Sequence, residues 1–492
     1  MSSCNSWAWV ALAAALTVAP ALAQSVAPPG EPALRGAESD PPALRAAESL
    51  PELTTNAASR RAEAPRPGAR RRRGDLPPLR PYRGASRRGL RGGAEAPALV
   101  PAPDVAALPL APSRRAIRRE ARPFDPVGIY VGDLKLTPYF EQSAGFATNP
   151  FGSASAAKGS ALSKSEIGVG LQSNWSRNEL TGAAHIGYNE YFQAPGASAP
   201  YGSGVVDYRV DATRDLAFDT EGRFNVANQT NAQLGLGGAT TQSLTLVSSY
   251  GATAGVTDKF GDLSLGLHGT IDRVQYSGGS LASEDYNDYG LRLRASYRLS
   301  EALSPFAEVG GDVRVYDHSR DAAGYDRASD GVSGKAGLRV SFSEMLTGEA
   351  SLGYGVRAYR DARLADVGAP LFDASLAWSV TPLTIVTLKT STQLADAVVA
   401  GASADINRTF SLGVDHALTE RIKLGLTGAL ASDNYVGINQ TSRSYTLGAT
   451  AEYHLSREIV LKASATHQQF VSATPGGSYK ADTVLVGVRL QR

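Results

Sequence analysis

The sequence predicts an all-β fold: a closed antiparallel transmembrane β-barrel of about 18 strands, preceded by a disordered N-terminal arm. Three observations carry that prediction. Long segments alternate apolar and polar residues, a short polar turn recurs at a near-constant interval, and strand charges keep to one face.

The alternation begins in "VGDLKLTPYFEQSAGFATNPFG", Val131 to Gly152. There Leu134, Leu136, Phe140, Ala144 and Phe146 alternate with Lys135, Thr137, Glu141, Ser143 and Gly145. A period of two is the signature of a strand. It continues almost unbroken to Leu490. "YGLRLRASYRL" (289 to 299) sets Arg292, Arg294 and Arg298 opposite Tyr289, Leu291, Leu293 and Tyr297, and "YTLGATAEYHL" (445 to 455) repeats the pattern. These segments are about 10 to 14 residues long, against the five or six usual in soluble sheets, and that is the length a tilted strand needs to cross a bilayer. Gly is abundant at 51 residues and small polar residues are mixed among the aliphatic ones, which argues against a large packed interior.

The turns fix the count. Each has a Ser or Thr, then one to three charged or turn-forming residues, then an apolar residue that opens the next strand: "WSRNEL", "ATRDL", "VTDKF", "LSEAL", "FSEML", "VTPL", "LTERI" and "LSREI". Their Ser or Thr stand at 176, 213, 257, 300, 343, 381, 419 and 456. Each interval holds two long strands joined at the far end by a longer polar or Gly-rich loop, such as "QAPGASAPYGSG" at 193 to 204. Eight short turns with a first and a last strand give 18 strands, with both ends of the barrel on the short-turn side. A propeller also repeats near 40 residues, but it needs four short strands per repeat, which this spacing leaves no room for.

In hydrocarbon an unpaired backbone group costs several kcal/mol, so a spanning sheet must close. A lipid-facing Arg or Lys near mid-membrane costs roughly 2 to 4 kcal/mol. The charged face therefore turns inward, and at 16 to 18 strands the interior is wide enough for an aqueous channel. The candidate lining residues are Arg209, Arg223, Arg292, Arg294, Arg298, Glu308, Asp312, Arg314, Lys335, Arg339, Glu349 and Arg357. Hairpin geometry predicts Arg292 or Arg294 near Asp312, and Glu308 near Arg298. Opposed charge rows of this kind have two readings: they discriminate solutes by charge and shape, or they neutralise one another and stiffen the wall. Outside, Trp175, Phe218, Phe342, Trp378 and Tyr453 mark one interfacial girdle, and Phe146, Tyr188, Tyr289, Phe410 and Tyr445 the other. Pro138 lies inside the first strand, which requires its missing donor to fall at a bulge or near the rim.

Ahead of the barrel, residues 1–23 read as an export signal, with an apolar run from Trp7 to Ala23 and a small-x-small site at Ala21-Leu22-Ala23; the alternative is an N-terminal membrane anchor. The single Cys, Cys4, precedes that run and excludes a disulfide framework. No later segment is long and apolar enough for a membrane helix. Residues 24–123 form a Pro, Ala and Arg-rich periplasmic arm with 19 Arg against 10 acidic residues, a net +9. With the whole chain at +2, the barrel from residue 124 to 492 carries the balance of −7, which predicts a mild cation preference. In an exported chain poor in aromatics the Arg clusters "ARRRRG" and "SRRGLRGG" do not predict nucleic-acid binding. Two readings remain for the arm: a solvated tether, or a segment that touches anionic envelope polymers or polysaccharide.

Catalysis is not predicted. The six His are scattered, no metal-ligand spacing or phosphate loop occurs, and no cofactor is expected. "DHSRD" (317 to 321) places Asp, His and Ser side by side, whereas triad partners come from distant parts of a fold.

The stretch "RPFDPVGIYVGDLKLTPYFEQSAGFATNPFG" (122 to 152) resembles the entry to the beta-barrel porin type 2 family of proteobacterial outer-membrane proteins. Phe124, Asp125, Pro126, Gly128, Ile129 and Gly132 match its approach to the first strand. Pro138, Phe140, Glu141, Phe146 and Asn149 match the strand and its end. The following hairpin array is also similar, so the resemblance covers roughly 122 to 492. It implies a bacterial outer-membrane barrel with a porin role, in contact with outer-membrane lipid and small hydrophilic solutes. For some relatives it implies an association with surface polysaccharide production. Periplasmic N- and C-termini are expected from the layout. One departure is the end "VRLQR", where such barrels usually carry a final aromatic residue.

Overall fold

A computed structural model describes residues 124–492 apart from 155–156, 237–243, 278–280, 344, 439, 473 and 475. The expected export signal, Cys4 and the Arg-rich arm lie outside the described residues.

The chain begins with a short strand, β1 (Ile129–Val131), that folds back on β2 (Leu134–Ala147). Then come β3 (Ser160–Ser173), β4 (Glu179–Tyr191), β5 (Ala199–Asp211), β6 (Ala217–Thr230), β7 (Leu244–Phe260) and β8 (Leu263–Tyr276). Next are β9 (Tyr286–Tyr297), β10 (Leu303–Tyr316), β11 (Ser329–Ser343), β12 (Leu346–Tyr359), β13 (Val367–Thr381) and β14 (Thr384–Ala395). The last are β15 (Asp405–Ala417), β16 (Ile422–Tyr435), β17 (Gln440–His454), β18 (Ile459–Val471) and β19 (Tyr479–Gln491).

From β2 onward every strand pairs antiparallel with its neighbours in chain order. β19 returns to β2, from Thr483 opposite Ala147 to Gln491 opposite Tyr139, so the wall of 18 staves closes without an edge strand. β1 is the one strand beyond the predicted count, and it adds only three residues at the rim of β2.

The recurring Ser and Thr have a local cause. Thr213, Ser300, Thr381, Thr419 and Ser456 each accept, through the side-chain oxygen, the amides two and three residues on, at 2.9 to 3.3 Å. That ties down amides the ladder cannot reach at the tightest point of the hairpin. The "VTDKF" turn falls later than its Thr suggests. β7 continues through Thr257 to Phe260, and the reversal is made by Gly261, at φ +64°, with Asp262. A glycine that accepts a left-handed conformation allows a two-residue hairpin there without a Ser or Thr cap.

The two faces separate as the alternation requires. All ten girdle aromatics are exposed on the outer face, together with Ile167, Ile186, Leu291, Val332, Leu352, Leu447 and Val486. The inner face buries polar side chains, among them Glu141, Glu166, Asp272, Asp288, Glu308, Arg314, Arg357, Lys462 and Arg489. Pro138 sits at the rim: it opposes Val169 on β3, and the β19 ladder stops beside it at Tyr139.

Candidate channel: charge rows on the inner wall and a loop-closed mouth

The wall from β9 to β13 carries a chain of ion pairs. Arg294 is the register partner of Glu308. Glu308 receives Arg292 at 3.3 Å and Arg294 at 3.6 Å, and Arg294 continues to Glu349 at 2.8 Å, where Arg339 also ends at 3.0 Å. Arg294 additionally lies 3.6 Å over the Phe306 ring, whose inward position gives the guanidinium an aromatic floor. Nearer the long loops Arg357 pairs closely with Asp312 and donates to Ser329 at 3.0 Å. Arg314 pairs with Asp288 at 3.1 Å, and Lys335 reaches Asp373 at 2.6 Å.

These distances correct the pairing expected from the hairpin. Arg292 and Arg294 meet Glu308, and Asp312 takes Arg357 from β12, because the β10–β11 and β11–β12 registers bring Asp312, Gly331 and Arg357 level. Gly331, lacking a side chain, leaves the guanidinium room to cross β11: a Cβ there would stand 2.5 Å from an Asp312 oxygen. Arg298 lies at the short-turn rim, 62% exposed, bound to Asp262 of the neighbouring turn at 2.7 Å. Of the other sequence candidates, Arg209 pairs with Asp211 at 3.0 Å, and Arg223 bridges Glu221 at 3.0 Å and Asp272 at 2.6 Å.

A second cluster, outside the sequence candidates, forms where the wall closes. Glu141 receives Lys462 at 3.0 Å and Arg489 at 2.8 Å. Beside it, Glu166 accepts the hydroxyls of Tyr139 and Tyr201, each at 2.8 Å, and Lys164 at 3.2 Å. Parity assigns all of them to the inner face. Their convergence depends on a closure between residues about 350 apart, which hairpin reasoning does not reach.

The long-loop end is narrowed by chain folded inward. Arg327, 2% exposed, donates to Asp321 at 2.6 Å and to the carbonyls of Ala402 and Val399 at 3.0 and 3.1 Å. It thereby ties the loop after β14 to the loop after β10. The segment after β6 adds to this at the loop after β14: Ala232 packs against Phe470 and Tyr479, and Gly235, at φ +73°, lies against Val399 and Tyr435 so tightly that a Cβ would come within 2.8 Å of both. A cavity of about 110 Å³ remains beneath, lined by Gln229, Asp396, Asp405, Asn407, Asp433 and Tyr435 among others. Glu284, in the loop after β8, has its carboxyl pushed up to about 8 by burial and by the Asp396 carboxylate, against the pull of Arg327 at 3.5 Å. In "DHSRD" both carboxylates are engaged: Asp317 receives Arg273 at 2.5 Å, and Asp321 receives Arg327.

The family model described as "Putative beta-barrel porin 2" matches residues 122–492. The chain belongs to this porin family. The match supports placement in the outer membrane and a channel role. Among solved structures, the chain is similar to the outer membrane protein OpdK of Pseudomonas aeruginosa, at 10% identity over 73% of this chain and 99% of that one, with a TM-score of 0.37. It is also similar to OccAB3 of Acinetobacter baumannii, at 11% identity over 74% and 100%, with a TM-score of 0.34. A BenF-like porin of Pseudomonas fluorescens matches at 10% identity over 73% and 99%, with a TM-score of 0.37. No curated protein matches the chain.

Proposed function

We propose that this porin passes small hydrophilic solutes by passive diffusion, with the short turns and both chain ends on the periplasmic side. The observation that carries the reading is the inner wall. A closed barrel that buries rows of paired Arg, Lys, Asp and Glu has an interior that suits water and polar solutes. The lining would be formed by Arg209, Arg223, Arg292, Arg294, Glu308, Asp312, Arg314, Lys335, Arg339, Glu349 and Arg357, with the Glu141 cluster added and Arg298 reassigned to the rim. The inward loops fit a narrow mouth that admits small solutes. Purified protein in planar bilayers tests this: stepwise conductance is expected, and its absence at every voltage would overturn the reading. Proteoliposome swelling in sugars of increasing size then measures the cut-off.

A further inference from the structure

The wall has one broken seam. β13 and β14 pair from the short turn up to Ala374 opposite Thr390, and there the ladder stops, although β13 continues back to Val367 and β14 on to Ala395. Seven residues of β13 and five of β14 form no rung with each other. The β5–β6 seam also stops early, but after Gly202 only three residues of β5 remain, and Asn228 donates across the gap to the Pro200 carbonyl. The prolines agree with the ladders. Pro138, Pro200 and Pro305 lie just past the last rung on one side, and Pro370 lies four residues beyond the last β13–β14 rung. A strand interior tolerates proline where it has no ladder to serve.

The upper part of β14 has moved into the lumen. A Cβ on Gly355, on the inner face of β12, would stand 3.0 Å from Leu371 Cδ1 and 3.3 Å from Leu394 Cδ1. Leu394 of β14 thus reaches across the inner face of β13 to β12. Ile406 and Ala404 follow it, packing with Val367 and Ala369 in a buried cluster flanked by Tyr359, Leu394 and Val436. This apolar cluster stands directly behind the break, as another, of Val247, Val274, Tyr286 and Tyr316, stands against β7 to β10. Outside the break, Phe372 is exposed.

A strand edge without its ladder is costly wherever it meets hydrocarbon, which offers amides and carbonyls no partner. An edge kept beside an apolar cluster on the lumen side, with small residues at Gly355, Gly368, Ala369 and Ala404, describes a closed side door. We infer that the β13–β14 seam is a lateral passage between the lumen and the membrane for a slender apolar or amphipathic molecule, with the β14–β15 hairpin top as its plug. Transit displaces Leu394 and Ile406 from β13, while the charge rows continue to serve polar solutes along the barrel axis.

Continuing the register past Ala374 and Thr390 would oppose Phe372 and Thr392, so the double variant Phe372→Cys with Thr392→Cys staples the seam. The one other cysteine of the sequence, Cys4, lies in the expected export signal. The probe is radiolabelled dodecanoate, taken up by intact Gram-negative cells carrying the full-length protein. Wild type and the reduced double variant are expected to speed uptake over cells lacking the protein. Oxidation should lower the variant's uptake at least tenfold, dithiothreitol should restore it, and ion conductance in planar bilayers should persist in both states. Unchanged uptake after complete oxidation, or no acceleration by wild type, overturns the passage while leaving the axial channel standing. Hydrogen exchange on the wild-type protein in nanodiscs tests the seam even if the staple fails to form. Residues 367–373 should exchange at least tenfold faster than 374–381, and equal protection would overturn the inference.

Discussion

Arg489 on the last stave and Glu141 on the first form an ion pair of 2.8 Å across the closing seam, and Lys462 meets the same carboxylate oxygen at 3.0 Å. Two cations therefore depend on one buried anion. Removing one partner from such a site leaves the others uncompensated, at a cost of about 3 to 5 kcal/mol. Glu141→Ala is expected to destabilise the barrel by about that amount, read as a lower midpoint in guanidinium unfolding. Glu452, 3.9 Å from Arg489 and level with Lys462, offsets part of that loss, which puts the expected cost toward the lower end. A midpoint equal to wild type would show that closure does not rest on this pair.

Glu349 holds Arg294 and Arg339 together on the opposite part of the wall. Glu349→Gln takes the shared anion from Arg339 and Arg294 and leaves Arg294 only Glu308, at 3.6 Å. A unit charge about 10 Å from a passing ion contributes about 1.7 kcal/mol at an effective dielectric of about 20, and screening at 0.1 M salt reduces that to about 0.6 kcal/mol. The permeability ratio should therefore move toward anions by about threefold, measured as the reversal potential in a KCl gradient. The −7 balance of the barrel predicts a wild-type starting point on the cation side. An unmoved reversal potential would place Glu349 outside the conducting path.

The long-loop mouth should respond to pH through Glu284. Its folded carboxyl is raised to about 8, above the ordinary value of 4.5, so the folded mouth holds the proton more tightly than the unfolded chain. The associated stability is complete below about 4.5 and is lost as pH rises through about 8. Ionised Glu284 then faces Asp396 and Asp321, with Arg327 as the one cation at hand. Between pH 6 and 9 the loops should loosen, seen as larger conductance or more frequent flicker. Glu284→Gln should behave alike at both values, and a variant with the wild-type pH response would assign the effect to another group.

The barrel was legible from the sequence because two local rules report it directly. Alternation along a segment such as Tyr289 to Leu299 identifies both faces of a stave without any partner, and the Ser or Thr at 213, 300, 381, 419 and 456 mark reversals because they cap amides two and three residues on. Pairing across one hairpin was less legible. Asp312 meets Arg357 through two consecutive registers, and a shift by one rung in either would separate them. Three features were out of reach: the Glu141 cluster, which depends on ring closure; Arg327, whose carbonyl partners lie about 75 residues away in another loop; and the β13–β14 break, where both strands keep their alternation. Pro370, the fourth residue of β13, was the available signal for that break.

The outer face gives the sharpest energetic contrast, because neighbouring residues on one strand experience different solvents. Leu352 lies near the middle of β12 and is 66% exposed, while Ser351 beside it is buried on the inner face. Leu352→Arg places a charge against hydrocarbon near mid-membrane, where the cost is about 2 to 4 kcal/mol. Ser351→Arg carries the same charge into a wall that already holds Arg339 and Glu349. The first variant should fold into lipid vesicles with a lower yield and a lower denaturation midpoint, and the second should keep its midpoint within about 1 kcal/mol and change ion selectivity instead. Equal destabilisation by the two would mean that Leu352 does not face lipid, and the assignment of inner and outer faces along β12 would have to be reversed.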